Sequence, residues 1–322
     1  MPFIKVDMVQ EARELQELLK DDSEAVEEFK EFEKKHIEKK IIQKPILVFQ
    51  TDFTYKEGAV SSMYGVVKSV DRELEIIDGT HEIPKFDIWS ASYRLYQTVK
   101  FWPKGTIFVA VVDPGVGTSR RACIAKTIDG YFIVTPDNGT LTHINKWSKI
   151  EEVREIDEEK NRLRGKDTEG SYVFHGRDLF AYTAARLASG IISFEDIGES
   201  YPVSDIVTFP ILEPSLKDGI VSGILEINDP NFGNVWTNIP LKMFVRANFK
   251  YGENIHVTIM NDGNTVYEDR VLFHKSFGYA EKGKPIIYNN ELMNIAMAIS
   301  QGDFCKTFGV AYGNTWTITF KR

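Results

Sequence analysis

Phe108-Val109-Ala110-Val111-Val112-Asp113-Pro114-Gly115-Val116-Gly117-Thr118-Ser119-Arg120 decides how the chain is read. Its unbroken apolar half predicts a strand buried on both faces. The strand runs into an aspartate and a Pro-Gly-x-Gly turn, where glycine permits close backbone approach and proline stiffens the bend. Arg120 follows within reach of Asp113. Ligands collect outside the carboxyl ends of strands in open α/β sheets. An aspartate in such a place is equally a turn cap, so this stretch alone leaves its role open.

Working outward, apolar runs over 46–53, 74–78, 122–127 and 131–135 predict further strands. Helical spacing over 58–70 and 87–100 falls between them. This alternation predicts an amino-terminal α/β domain with a largely parallel central sheet. The charged stretch 148–170 is expected to be a surface excursion, followed by a helix over 179–188. Pro202, Pro210 and Pro214 mark a linker. Beyond it, 219–227, 242–248, 254–260, 265–272 and 316–320 alternate like strands, and Asn261-Asp262-Gly263-Asn264 is a hairpin turn. A smaller carboxyl-terminal β-barrel or sandwich is expected. Residues 1–44 differ in composition. Met8, Ala12 and Leu15, then Val26, Phe29 and Phe32, fall at helical spacing and predict a charged helical extension. The expected division is therefore 1–44, 45–200, a linker 201–218, and 219–322.

The totals exclude several classes. A net charge of -8 with no long basic run argues against nucleic acid as a partner. The two cysteines, Cys123 and Cys305, make neither a disulfide framework nor a zinc spacing, so a reducing, cytoplasmic setting is expected. The first residues lack a basic segment followed by an apolar one, so no secretory signal is expected. No apolar run approaches the roughly 20 residues that cross a bilayer, so no membrane partner is expected.

Asp52, His81, Asp113, Arg120, Asn138, His175, Arg177 and Asp178 fall at strand ends or in loops. A carboxylate and a histidine can orient or deprotonate water, and a cation can hold the resulting hydroxide. No H-x-x-x-H, H-x-H or carboxylate-x-carboxylate pair stands at a strand end, so no metal is expected. The 115–120 turn lacks the Gly-Lys-Ser/Thr ending of a phosphate loop and the third glycine of a dinucleotide fingerprint. Residue chemistry alone stops at a two-domain α/β enzyme, hydrolytic or group-transferring.

Several motifs occur together in order: Thr51-Asp52-Phe53, Ile77-Asp78-x-x-His81, Phe101-Trp102-Pro103-x-Gly105-Thr106, Val111 to Arg120, Pro136-Asp137-Asn138-Gly139 and Phe174-His175-Gly176-Arg177-Asp178. Asp229-Pro230-Asn231-Phe232-Gly233-Asn234 follows in the second domain. From about Ile46 to the end, the chain resembles the S-adenosyl-L-methionine (SAM) hydroxide adenosyltransferases, relatives of the SAM-dependent halogenating enzymes. The resemblance implies hydrolysis of SAM to adenosine and L-methionine by hydroxide attack at the ribose C5′, with SAM as substrate and no cofactor. It puts the catalytic set on Asp113, Arg120 and His175. Asp52 would bind the ribose hydroxyls and Phe86 would lie against the sugar and base. Asn138 of the matching turn is counted with the binding residues. Asp229 would pair with the substrate's ammonium, Phe232 would stack on adenine and Asn234 would hydrogen-bond. It also implies a homotrimer with the site between one subunit's first domain and its neighbour's second.

Departures from the family pattern are Thr54 for glycine, Glu57 for aspartate, Ala59 for tyrosine, and Asn289-Asn290-Glu291 for a Ser/Gly turn. They raise a third possibility beside hydrolase and halogenase, a non-catalytic SAM- or adenosine-binding protein. Gly176 and Asp113 stand where halogenating members carry serine and an aromatic, which favours water over halide.

Overall fold

The computed structural model describes residues 44–165 and 170–322. The chain divides into two units, residues 1–44 and Pro45–Arg322. The expected helical extension lies outside the described residues. The second unit holds two sheets.

The first sheet has the order β2-β1-β3-β5-β4-β6-β7. Strands β1 (Leu47–Thr51), β2 (Ile76–Thr80), β3 (Ile107–Val111) and β5 (Phe132–Pro136) run parallel. Strands β4 (Ala122–Thr127), β6 (Ile150–Glu155) and β7 (Ser200–Tyr201) complete it antiparallel. Successive side chains of a strand face opposite sides, and both sides are covered. Leu47, Phe49, Val109 and Val111 pack with Met63 and Val67 of helix α1 (Ala59–Val70). Val48, Phe108 and Ala110 pack with Leu95 and Val99 of helix α2 (Ile88–Val99). This two-sided burial is why β1 and β3 read as continuous apolar runs.

The second sheet is a closed seven-strand barrel. Its ring runs β10 (Val235–Pro240), β14 (Asn294–Ile299), β13 (Pro285–Asn289), β12 (Asn264–Phe273), β11 (Asn254–Asn261), β15 (Trp316–Lys321) and β9 (Ile220–Asn228). Pairing of β9 with β10 shuts the ring, and β8 (Ser215–Lys217) adds to the outside of β9.

Three expectations change. The stretch 150–155 is an interior strand of the first sheet, with Ile150 and Val153 buried among charged neighbours. The stretch 242–248 is largely helical, as α4 (Leu241–Arg246), which Pro240 opens and Phe244 anchors in the barrel core. The helix expected over 179–188 begins earlier, as a π-turn over Gly176–Ala181 that continues into α3 (Tyr182–Ala188).

Helix α2 joins the two sheets. Trp89 Nε1 donates to the Glu226 carbonyl at 2.7 Å, and Gln97 Nε2 to Glu291 Oε1 at 2.7 Å. Behind this seam His143 Nε2 lies 3.6 Å from Glu226 Oε1, both atoms buried and neither with a hydrogen-bond partner among the described residues. Burial lowers His143 to about 3 and raises Glu226 to about 8, so the pair is uncharged at neutral pH.

Folding thus favours the neutral form of both groups, so at neutral pH it adds a proton to the carboxyl while the histidine is already largely neutral. His143's contribution is complete above its ordinary 6.5 and lost toward 3, whereas Glu226's is complete below its ordinary 4.5 and lost as pH rises to 8. In a pH series of thermal melts, Glu226→Gln should therefore gain steadily on wild type between pH 4.5 and 8 and gain nothing further above it.

Candidate active site

Because β2, β1, β3 and β5 are parallel, the residues that follow them emerge along one edge. Asp52 follows β1, His81 follows β2, Asp113 follows β3 and Asn138 follows β5.

At the end of β3 the turn brings Arg120 back onto Asp113. Arg120 Nε lies 2.9 and 3.1 Å from the two carboxylate oxygens, and Nη2 lies 2.5 Å from Oδ2. Both side chains are nearly buried, at 10% and 5% exposed. Arg120 Nη2 also sits 3.0 Å from His175 Nδ1, at the start of the π-turn. A guanidinium only donates, so Nδ1 accepts and the proton of the neutral ring is on Nε2. Burial lowers the His175 pKa; Arg120 and Arg162 add to this, against Glu158 and Asp113. Arg120 Nη1 and His175 Nε2 are buried donors without a partner among the described residues. A carboxylate, a guanidinium and a neutral imidazole donor thus meet in one place.

Asp113 and His175 line a cavity of about 540 Å³ with Phe53, Glu57, Gly58 and Arg177. Asp52 is buried, and its Oδ2 accepts the backbone N–H of Phe86 at 2.9 Å. That contact holds Phe86 at a φ of 66° with its ring 68% exposed. Asn138 has its side chain engaged internally. Its Nδ2 donates to the Val112 carbonyl at 2.9 Å, and its Oδ1 accepts the Thr140 hydroxyl at 2.9 Å. Its amide therefore braces the backbone next to Asp113.

Asp229, Phe232 and Asn234 line a separate cavity of about 970 Å³ at the barrel, beside Trp236 and Tyr288. Asp229 Oδ1 accepts the N–H groups of Asn231 and Phe232, at 3.0 and 3.3 Å, which rounds the loop. The loop presents Phe232 at 68% exposed. The two cavities share no lining residue. The structure therefore gathers Asp113, Arg120 and His175 directly, pairs Asp52 with Phe86, and keeps Asp229, Phe232 and Asn234 on the barrel. Sequence reasoning passed over Tyr64 and Tyr55, whose hydroxyls reach Asp78 behind His81. Tyr64, on the face of α1, reads as packing, and no spacing marks Tyr55 in the loop before it.

Family models for the N- and C-terminal domains of SAM hydroxide adenosyltransferases match residues 47–198 and 224–317. An (R)-S-adenosyl-L-methionine hydrolase of Salinispora tropica is 30% identical over 85% of this chain and 98% of that relative. A fluorinase of an Actinoplanes species is 25% identical over 85% of the chain and 97% of its own length. The crystal structure of an uncharacterized conserved protein from Thermotoga maritima superimposes with a TM-score of 0.77 at 31% identity, covering 86% of this chain and all of that one.

The tautomer gives a direct expectation. By ¹⁵N NMR, His175 should remain neutral with its proton on Nε2 and titrate below the ordinary 6.5. Arg120→Gln removes a nearby cation and should move that midpoint upward; an unmoved midpoint would count against the contact.

Proposed function

The chain belongs to the SAM hydroxide adenosyltransferase family, and we infer that it is an enzyme hydrolysing S-adenosyl-L-methionine to adenosine and L-methionine. The observation that carries this reading is the buried Asp113–Arg120–His175 contact at the end of β3, with two donors left unpaired.

Water oxygen bonds to the ribose C5′ as the C5′–S bond breaks and its electron pair goes to sulfur. The cationic sulfonium leaves as a neutral thioether, so the step asks for neither a general acid nor a metal or cofactor. What it asks for is a desolvated nucleophile held in line. Arg120 Nη1 supplies positive charge to the oxygen as it becomes hydroxide, and His175 Nε2–H orients it. Asp113 Oδ1 takes only the Nε contact and keeps a lone pair, whereas Oδ2 is held by both Nε and Nη2. We assign the water proton to Asp113, which releases it to solvent after the step. His175 is the donor here because its Nδ1 is occupied.

Halide fits this chemistry less well. Asp113 repels a small anion, and a Cβ at Gly176 would stand 3.1 Å from the Phe174 ring and 3.3 Å from Phe53. A serine there needs both rings to yield.

For the binding end, Asp52 is our acceptor for the ribose hydroxyls, with Phe86 against the sugar and base. Asp229 would pair with the ammonium, Phe232 would stack on adenine and Asn234 would hydrogen-bond. The family resemblance implies a homotrimer whose neighbour completes each site, and two separate cavities with Phe86 and Phe232 exposed fit that reading. Among the described residues no helix is long and apolar enough to cross a membrane. We place the enzyme in the cytoplasm because both cysteines are free and buried.

Chromatography of protein incubated with SAM should show adenosine and methionine in equal amounts, unchanged by chloride or fluoride. A halide-dependent 5′-halo nucleoside, or bound SAM without product, would overturn the reading. Asp113→Asn and Arg120→Ala should still bind SAM but lose about 10²–10⁴-fold in kcat. Asp113→Asn and Asp229→Ala chains, each inactive alone, should recover about a quarter of wild-type activity when co-expressed, as random mixing in a ring predicts. No recovery would argue against a shared site.

A further inference from the structure

We propose that His81 is a positioning residue whose ring and carbonyl together hold the Asp52 segment in the shape that receives substrate. The proposal rests on reading Asp52 as the acceptor for the ribose hydroxyls.

The parallel pairing of β1 with β2, in register at Gln50 and Thr80, delivers His81 beside the residues that follow β1. His81 is 1% exposed and lines neither cavity, so it acts on substrate only through its neighbours. Its Nδ1 lies 2.8 Å from the Thr51 hydroxyl, which also accepts the Phe53 N–H at 3.1 Å. Its carbonyl accepts the Thr54 N–H at 2.8 Å. Residues 51, 53 and 54, on both sides of Asp52, therefore hang on one side chain and its own backbone.

The hold has something to resist. Thr54 sits at a φ of 58°, a region that a β-branched residue seldom adopts. Its hydrogen bond to His81 offsets that strain and keeps the backbone turned directly after Asp52. The link runs both ways. Ile83 N–H donates to the Thr51 carbonyl at 3.3 Å, and Phe86 N–H to Asp52 Oδ2.

The far side of the ring is gripped as well. Nε2 lies 2.9 Å from the Tyr64 hydroxyl and 3.2 Å from Asp78 Oδ1. The hydroxyls of Tyr55 and Tyr64 both donate to Asp78, and the Tyr55 ring meets His81 edge-on at 5.0 Å. With both nitrogens engaged, the imidazole cannot turn without breaking a buried contact. Such a brace fixes its neighbour far better than packing alone, because leaving buried polar groups unpaired is costly.

Thr51→Val tests this with little change of shape: it removes the hydroxyl between His81 and the Asp52 segment. Kd for SAM by calorimetry and kcat by product chromatography are the readouts. Expected are an about tenfold weaker Kd, kcat within about threefold, and rescue by Thr51→Ser. Asp52→Asn should weaken Kd at least as much, and the double variant should be no worse than Asp52→Asn alone, since both act on one contact. Tyr64→Phe, which trims only the outer hydroxyl, is the gentler variant and should weaken Kd about threefold. It carries the test if Thr51→Val does not fold. An Asp52→Asn effect with unchanged Kd in Thr51→Val and Tyr64→Phe overturns the proposal alone, as do fully multiplicative effects in the double variant. An unchanged Kd in Asp52→Asn overturns the ribose assignment and the proposal with it.

Discussion

The site depends on the burial of one guanidinium. A cation moved out of water must find a carboxylate, and Arg120 finds Asp113 through two nitrogens. That pairing fixes where the guanidinium's remaining donors point. One meets His175, which obliges that ring to stay neutral with its proton on the other nitrogen. The turn between the partners is shaped for this. Gly117 has a φ of 75°, and a Cβ there would stand 3.0 Å from the Tyr172 carbonyl. Only a glycine lets the segment leading to His175 come that near.

The sheet supplies the rest by register. Four parallel neighbours release their chains at one edge, so short loops suffice to bring chemistry together. The antiparallel strands beyond β5 lend the sheet area without adding a residue to the cluster. The barrel solves a different problem. Closing the ring satisfies every strand edge within it, which frees the β9–β10 loop to present Asp229 and Phe232 outward. Helix α2 then ties the barrel to the sheet through Trp89 and Gln97.

Much of this was legible. The buried strands β1 and β3 announced themselves as apolar runs; Asp113, Arg120 and His175 stood among several polar residues in loops or at strand ends, and the family resemblance picked them out. What escaped notice has physical causes. Strand β6 hides because Ile150 and Val153 are separated by Glu151, which is exposed, and Glu152, which is half-buried. Helix α4 fits both periods over so short a run: Leu241, Met243 and Val245 alternate like a strand, while Leu241, Phe244 and Val245 fall at helical spacing. The brace behind Asp52 was invisible because Tyr64 comes from a helix, Asp78 from a strand and Thr51 from another. Only the parallel register brings them together. Asn138 shows the converse: a polar residue in a conspicuous turn whose side chain is spent on Val112 and Thr140.

The departures from the family pattern separate once geometry is considered. Thr54 occupies the left-handed backbone that glycine would take freely, so that exchange alters strain and not shape. Asn290 uses its Oδ1 to accept the N–H groups of Leu292 and Asn294, at 3.0 and 2.9 Å, and thereby builds the turn in which it sits. Glu57 is different. It lines the cavity beside Asp113, while one of its oxygens accepts the N–H of Ala59 at the start of α1. It keeps the carboxylate of the pattern's aspartate on a side chain one methylene longer, a second carboxylate facing a site that, on our reading, takes a sulfonium and must not hold a halide. Both demands are met by negative charge placed near a buried guanidinium: the cation of the substrate is drawn in, and a competing anion is kept from Arg120.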